Sequence, residues 1–423
     1  SGMHQPLDVV ITGTGVVSSI GIGSDDFWKS LLEGRSGIGP LREFDAPGFP
    51  ANFGAEIPDF DPKLYVQPRK SLKVMCREIQ TGFSAAVLAM RQAGLEPKQV
   101  DPERLGVVYG SEILYSDFED LRAAYKQCIE EGWYQHDRWG PAVMTETNPL
   151  WMLKYLPNMP ACHVAIYFDG RGHNNTICMD SVSGLMAIAE AVAHLRRGLA
   201  EVMIVGGTGT RIAVNPLLYR GDEQLSHRSD APERACRPFD LDRDGLVGGE
   251  GAAAMILETR EHAEARGREP LATVLGYGST YGKPTPDEPL SPTAIAASIE
   301  IAMREAEIDS THLSHINASG TSLQTEDRCE AQAIQRVLPR VPVTGLKSYF
   351  GHTGAGCGVL EAVASVMSLQ QGIVPRTLNY DTPDPNCPIM VVRDEPLHST
   401  RHAALTLNQN RTGQCAALVL GKP

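Results

Sequence analysis

GLMAIAEAVAHLRRGLAEVMIVGG, residues Gly184–Gly207, decides the fold class. Its first fourteen residues place apolar side chains at helical spacing and end on Arg196 and Arg197, where positive charge suits a helix C-terminus. A short polar break follows, and then VMIVGG at Val202–Gly207 is an apolar, β-branched run closed by glycines, the pattern of a buried strand. The same strand pattern recurs at Asp8–Thr14 (DVVITGT), which enters a tight turn at Gly13 and Gly15, at Leu105–Gly110 (LGVVYG) and at Ala252–Glu258 (AAAMILE). A second set runs from Leu271 (LATVLGYGS) through His315–Ala318 (HINA) to Ala416–Gly421 (AALVLG), with helices over Thr293–Glu307 and Val359–Gln371. Strands alternating with helices make this an α/β protein of layered architecture. The charged, alanine-rich Arg260–Glu269 reads as a helix plus linker, dividing the chain into an N-terminal unit, 4–259, and a C-terminal unit, 260–423.

Composition excludes several classes. With 423 residues and 42% hydrophobic content, the chain can bury a large core. The formal charge of -13 argues against a broad nucleic-acid footprint, although a local basic patch could still dock an acidic partner. Nine cysteines form no CxxC pair, as expected of reduced thiols in a cytoplasm, and no metal-ligand spacing occurs, so no metal is expected. No run reaches the roughly 18 apolar residues of a membrane span. Ser1-Gly2 ahead of Met3 reads as a cloning scar.

Two motifs fail on inspection. Gly13-Thr14-Gly15 lacks the third glycine of a dinucleotide fingerprint, because Ser18 stands there. Ser181 has Met179 and Ser183 where a hydrolase elbow needs glycines.

Five segments, with the terminal strand, resemble the β-ketoacyl-acyl carrier protein synthase family, in its elongating, thiolase-fold branch, along almost the whole chain. They are VVITGTGVVSSIG (Val9–Gly21), LPNMPACHVAIYFDGRGHN (Leu156–Asn174), RPFDLDRDGLVGGEGAAAMILE (Arg237–Glu258), INASGTSLQTEDRCEAQAI (Ile316–Ile334) and GLKSYFGHTGAGCGVLEA (Gly345–Ala362). The resemblance implies two similar α/β halves in a layered αβαβα arrangement. It also implies a nucleophilic cysteine at the head of the central helix. Counting nine residues on from Gly172 and three back from Gly184 reaches one position, and it holds Ser181. The family's first catalytic histidine falls on Ser319, while its lysine, second histidine and glutamate fall on Lys347, His352 and Glu361. The glycine-rich terminal loop aligns with Asn408–Cys415, where Arg411 replaces a gating phenylalanine and Gly413 is kept. Three coordinated departures do not read as one engineered Cys-to-Ser change.

The departures have a physical cost. A cysteine starting near pKa 8.5 needs only a modest shift to ionise. An alcohol is about as weak an acid as water, so ionising it at neutral pH costs on the order of 11 kcal/mol. A helix terminus supplies at most about 2 kcal/mol. Ser181 therefore needs a general base, and His352 is the only candidate in these motifs.

Simpler roles stand beside the chemical ones. Ser181 could cap its helix, Ser319 could space a turn, and Lys347, His352 and Glu361 could persist as a structural group. Arg411 reads either as an anion site for a phosphopantetheine phosphate or as a surface ion pair. The resemblance implies that Arg69, Lys70, Lys73 and Arg77 dock an acidic acyl carrier protein, with Thr321, Arg411 and Gly413 near its arm, and that the chain forms a homodimer or pairs with an active ketosynthase. No cofactor is implied beyond phosphopantetheine on the carrier. Two functions follow: a condensation-impaired partner resembling chain-length factors of fatty-acid or polyketide biosynthesis, or a serine-dependent acyltransferase or modified 3-oxoacyl synthase using Ser181 with His352.

Overall fold

The computed structural model describes residues 7–42, 52–112, 117–213 and 224–423. The strands are β1 (Val9–Ser18), β2 (Leu105–Gly110), β3 (Asn174–Ile177), β4 (Val202–Thr210), β5 (Glu250–Thr259), β6 (Ala272–Tyr281), β7 (Leu313–Asn317), β8 (Val343–Thr344), β9 (Ala403–Gln409) and β10 (Gln414–Gly421). The helices that pack on them are α1 (Arg77–Ala93), α2 (Met159–Phe168), α3 (Ser183–Arg196), α4 (Pro292–Glu305), α5 (Gln324–Val337) and α6 (Cys357–Gln371).

These elements repeat. Residues 9–259 run β1-α1-β2-α2-β3-α3-β4-β5, and residues 272–421 run β6-α4-β7-α5-β8-α6-β9-β10. The sheet order is β8-β7-β9-β10-β6-β1-β5-β4-β2-β3, so each half has the same strand sequence read outward from its first strand. The halves meet where β1 pairs antiparallel with β6 over Val10–Thr273 and Ile11–Ala272. Five layers result: α1 and α2 cover the first half of the sheet, α3 and α6 lie between the halves, and α4 and α5 cover the second. The αβαβα arrangement implied by the resemblance is therefore present.

Helices α3 and α6 explain the middle layer. Both are apolar and buried on nearly every face, because sheet lies on either side of them. Their heads consequently open onto the interior rather than onto solvent.

One local expectation is corrected. Gly13 and Gly15 make no turn; β1 continues through them to Ser18. A Cβ at either would sit 2.3 Å from the Ala89 carbonyl oxygen or 2.1 Å from that of Ala85, so the glycines let α1 lie directly on the strand. At the other end, β3 is an edge strand whose Asn174 and Asn175 are exposed. Phe118, Trp133, Tyr134 and Met144 also point outward, from the segment between β2 and α2.

Candidate functional site

A turn over Asp180–Val182 delivers the chain into α3, with Asp180 held in the left-handed region at φ 53°. Neither serine caps the helix, which has no side-chain cap hydrogen bond; Ser183 instead braces the turn, its Oγ accepting the Met179 N–H at 2.8 Å and donating to the Asp180 carbonyl at 2.6 Å. Ser181 is thereby released from the local role considered for it. Its hydroxyl, only 3% exposed, donates instead to the Gln409 carbonyl at 2.8 Å, 228 residues along the chain at the end of β9.

The loop opposite supplies His352. Its Nδ1 accepts the Gly354 N–H at 3.1 Å, which assigns the proton of the neutral ring to Nε2. An imidazole in that tautomer offers Nε2 as a donor, not as a base. The Ser181 proton likewise points at a carbonyl, which cannot take it. Both groups are engaged by backbone partners, and among the described residues no hydrogen bond joins Ser181 to His352.

Below them lies a buried polar group. Lys347 Nζ donates to Glu361 Oε1 at 2.5 Å and to the Ser319 carbonyl at 2.7 Å, with neither charged side chain exposed. Glu361 Oε2 also accepts from Asn408 Nδ2 at 2.9 Å. Ser319 receives its own support from Glu330, whose Oε1 accepts the Ser319 N–H at 2.8 Å. Burial, and then the nearby Asp327, push Glu330 up to about 8, so it is largely protonated at neutral pH. Gln409 Nε2 donates to the same carboxyl, while Ser319 Oγ is buried with no partner among the described residues.

The terminal loop is a four-residue hairpin, Asn410–Gly413, between β9 and β10. Gly413 adopts φ 100°, a conformation that favours glycine, and its N–H donates to the Asn410 carbonyl at 3.0 Å. Asn410 Nδ2 donates to the Met179 carbonyl at 2.8 Å, tying the hairpin to the turn that carries Ser181. Arg411 is 44% exposed and pairs with Glu326 at 2.7 Å, while Thr321, buried, donates to the other oxygen of that carboxylate at 3.0 Å. A cavity of about 340 Å³ opens over Asp180, Ser181, Arg211, His352, Gln409 and Arg411, among others.

The basic segment divides. Arg69, Lys70 and Lys73 are exposed on a short 3-10 helix, Arg69–Val74, and no ion pair joins them to another described residue. Arg77 belongs elsewhere: it opens α1, half-buried, with Nε and Nη2 on the Glu250 carboxylate at 2.7 and 2.8 Å and Nη2 on the Ile57 carbonyl. The docking role considered for Arg77 is not available to a guanidinium so engaged.

Several residues were not singled out by sequence reasoning. Glu330, Gln409 and Asn410 lie in segments that the resemblance already places at the site, but nothing in their residue types or spacing marks them individually. Glu112 and Arg211 form an ion triad with Asp180, and a charged residue ending the apolar run of β4 was the available signal. Cys357 Sγ lies 3.8 Å from His352 Nδ1, but on the side away from the cavity, fully buried and held by Thr353. Burial raises its thiol pKa, as befits a packing group. Among the described residues, no cluster of three or more His, Cys, Asp or Glu is placed to hold a metal, and no helix is long and apolar enough to cross a membrane.

Comparison with known proteins accords with this geometry. Residues 7–263 match the beta-ketoacyl synthase N-terminal domain and residues 271–381 the C-terminal domain. The chain is 35% identical over 395 residues to the 3-oxoacyl-[acyl-carrier-protein] synthase 2 of Vibrio harveyi, covering 91% of each chain. Among solved structures, the ishigamide ketosynthase/chain length factor superposes with a TM-score of 0.87 at 26% identity, covering 99% of this chain and 100% of that one. A type II polyketide synthase acyl-carrier protein complex with its hexaketide-bound ketosynthase gives 0.84 at 26% identity, with the same coverage. Two domain matches that together take in most of the chain, a relative of this identity and a shared five-layer fold establish that this protein belongs to the β-ketoacyl synthase family.

Proposed function

We propose that this protein is a condensation-impaired partner of an active ketosynthase in fatty-acid or polyketide biosynthesis, similar in role to a chain-length factor. One observation carries the reading: the residue at the head of α3 is a hydroxyl whose proton is donated to a backbone carbonyl. Without a thiolate or a base, no acyl group is accepted there. With Ser319 in place of the first histidine, only His352 remains to stabilise developing negative charge, and one neutral donor does so more weakly than two imidazoles.

Partnership is supported from three sides. A solved relative is described as a ketosynthase/chain length factor. The edge strand β3 and the outward Phe118, Trp133, Tyr134 and Met144 offer an unpaired backbone edge and apolar surface suited to a second subunit. Another relative was solved with an acyl-carrier protein, and the exposed Arg69, Lys70 and Lys73 offer this chain a basic face for one. The acyl chain arrives as a thioester on the carrier's phosphopantetheine, in the cytoplasm, and the protein uses no cofactor of its own. Arg411 borders the entry of that arm, paired with Glu326, which the buried Thr321 holds from behind, and Lys347 with Glu361 maintains the interior.

The retained His352 favours one competing reading, a serine-dependent acyltransferase. Reconstitution with a cysteine-bearing ketosynthase separates them. Under the partner reading, condensation by the pair survives Ser181→Ala here and is abolished by replacing the partner's cysteine. Loss of condensation through Ser181→Ala in a well-folded pair would establish the acyltransferase instead.

A further inference from the structure

The wall of the cavity beside Ser181 is ionic. Arg211 Nη1 donates to both carboxylate oxygens of Glu112 at 2.6 Å, and Nη2 reaches Asp180 Oδ1. The guanidinium is nearly fully buried, and Nη1 also donates to the Thr210 carbonyl at 3.1 Å. Asp180 and Arg211 face the cavity, and Glu112 lies behind them.

The wall is closely backed by two glycines. A Cβ at Gly354, two residues beyond His352, would lie 2.3 Å from Glu112 Oε1 and 2.4 Å from Arg211 Nη1, and one at Gly209 would lie 2.8 Å from Glu112 Oε1. The turn that carries Asp180 is held from both sides, by Ser183 on the Met179 N–H and by Asn410 on the Met179 carbonyl. The rest of the lining is polar apart from Leu225, Leu246 and Leu323.

We propose that the Arg211–Glu112–Asp180 triad closes the inner end of this cavity to alkyl chains, so that it takes the amide-rich pantetheine arm with at most a short acyl group. The inference rests on the reading that the ligand is carrier-borne. An alkyl chain advancing past Ser181 would have to part a buried guanidinium from two carboxylates without offering either a replacement. A longer chain is therefore kept out of this cavity, and the triad is the specificity-determining element on this side of the assembly.

The test is calorimetric titration of the full chain with non-hydrolysable pantetheine amides from acetyl to octanoyl. A buried chain gains about fourfold in affinity per methylene, which accumulates to the order of a thousandfold over this series. The triad predicts a change below about threefold across the series, whereas a gain per methylene near that of burial overturns the proposal. Replacing all three residues together, Arg211→Leu, Glu112→Leu and Asp180→Ala, removes the guanidinium along with both of its carboxylates and is expected to create the length dependence. A flat series in the folded triple variant also overturns the proposal. Should the triple variant not fold, Asp180→Ala alone leaves Arg211 paired with Glu112 and is expected to give the gain over the first few methylenes. Failure of every amide to bind, acetyl included, refutes the carrier reading of the cavity and this inference with it. A length-dependent wild type refutes the inference alone.

Discussion

The two halves share one order of strands and helices, yet the heads of their buried helices have had different fates. In front of α3 the N-terminal half presents Ser181, a single atom away from a thiol. In front of α6 the C-terminal half presents His352, with the fully buried Lys347–Glu361 pair below. Exchanging sulfur for oxygen at 181 disturbs little packing and leaves a satisfied hydrogen bond to Gln409. Removing either member of the buried pair would strand a charge in the interior. Each of Lys347 and Glu361 is thus a structural reason to keep the other, whether or not any chemistry takes place.

The contrast is most exposed to refutation in stability. Lys347→Met is expected to lose about 3–5 kcal/mol, because Glu361 is left buried and unpaired, with much of the loss recovered by adding Glu361→Leu. Urea denaturation measures both, and a single variant as stable as the parent would remove the structural reason for retaining the pair.

Glu330 sharpens the same comparison through pH. Folded, it keeps its proton to about 8, whereas the unfolded chain releases it near 4.5. Between those values the folded state binds more protons, so its contribution to stability falls as pH rises and levels off above 8. Glu330→Gln has no proton to lose, so its stability relative to the parent should climb from pH 5 to pH 8. Denaturation midpoints for the two proteins across that range check the slope, and parallel profiles would contradict it.

Smaller effects are expected at the surface and at the serine itself. Reversing Arg69 and Lys70 to glutamate should weaken acyl carrier binding by about tenfold at low salt, with the difference shrinking as salt screens it. Unchanged affinity at low salt would discard this face. Ser181→Ala should cost only about 0.5–1.5 kcal/mol, the worth of one hydrogen bond, and leave assembly with a ketosynthase intact.

The sequence carried the register of the site well. Gly172 and Gly184 bracket Ser181 from both sides, and the strand and helix patterns anticipated nearly every layer. What it could not carry were contacts between distant segments. The Gln409 carbonyl that accepts from Ser181 is a backbone atom far along the chain. The triad draws Glu112, Asp180 and Arg211 from three separate stretches, and Arg77 looked free because Glu250 is distant in sequence. Ser181 does not cap its helix because its hydroxyl is taken by the Gln409 carbonyl across the site, and Ser183 braces the preceding turn instead. The glycines of β1 looked like a turn because a close helix and a sharp bend ask for the same absent side chain.

The central claim is that the hydroxyl at 181 does not take up acyl groups, and intact-mass spectrometry tests it directly. After incubation with acyl carrier thioesters the protein should retain its unmodified mass, as Ser181→Ala does. A stable increment equal to one acyl group, present in the parent and absent from that variant, would contradict the account.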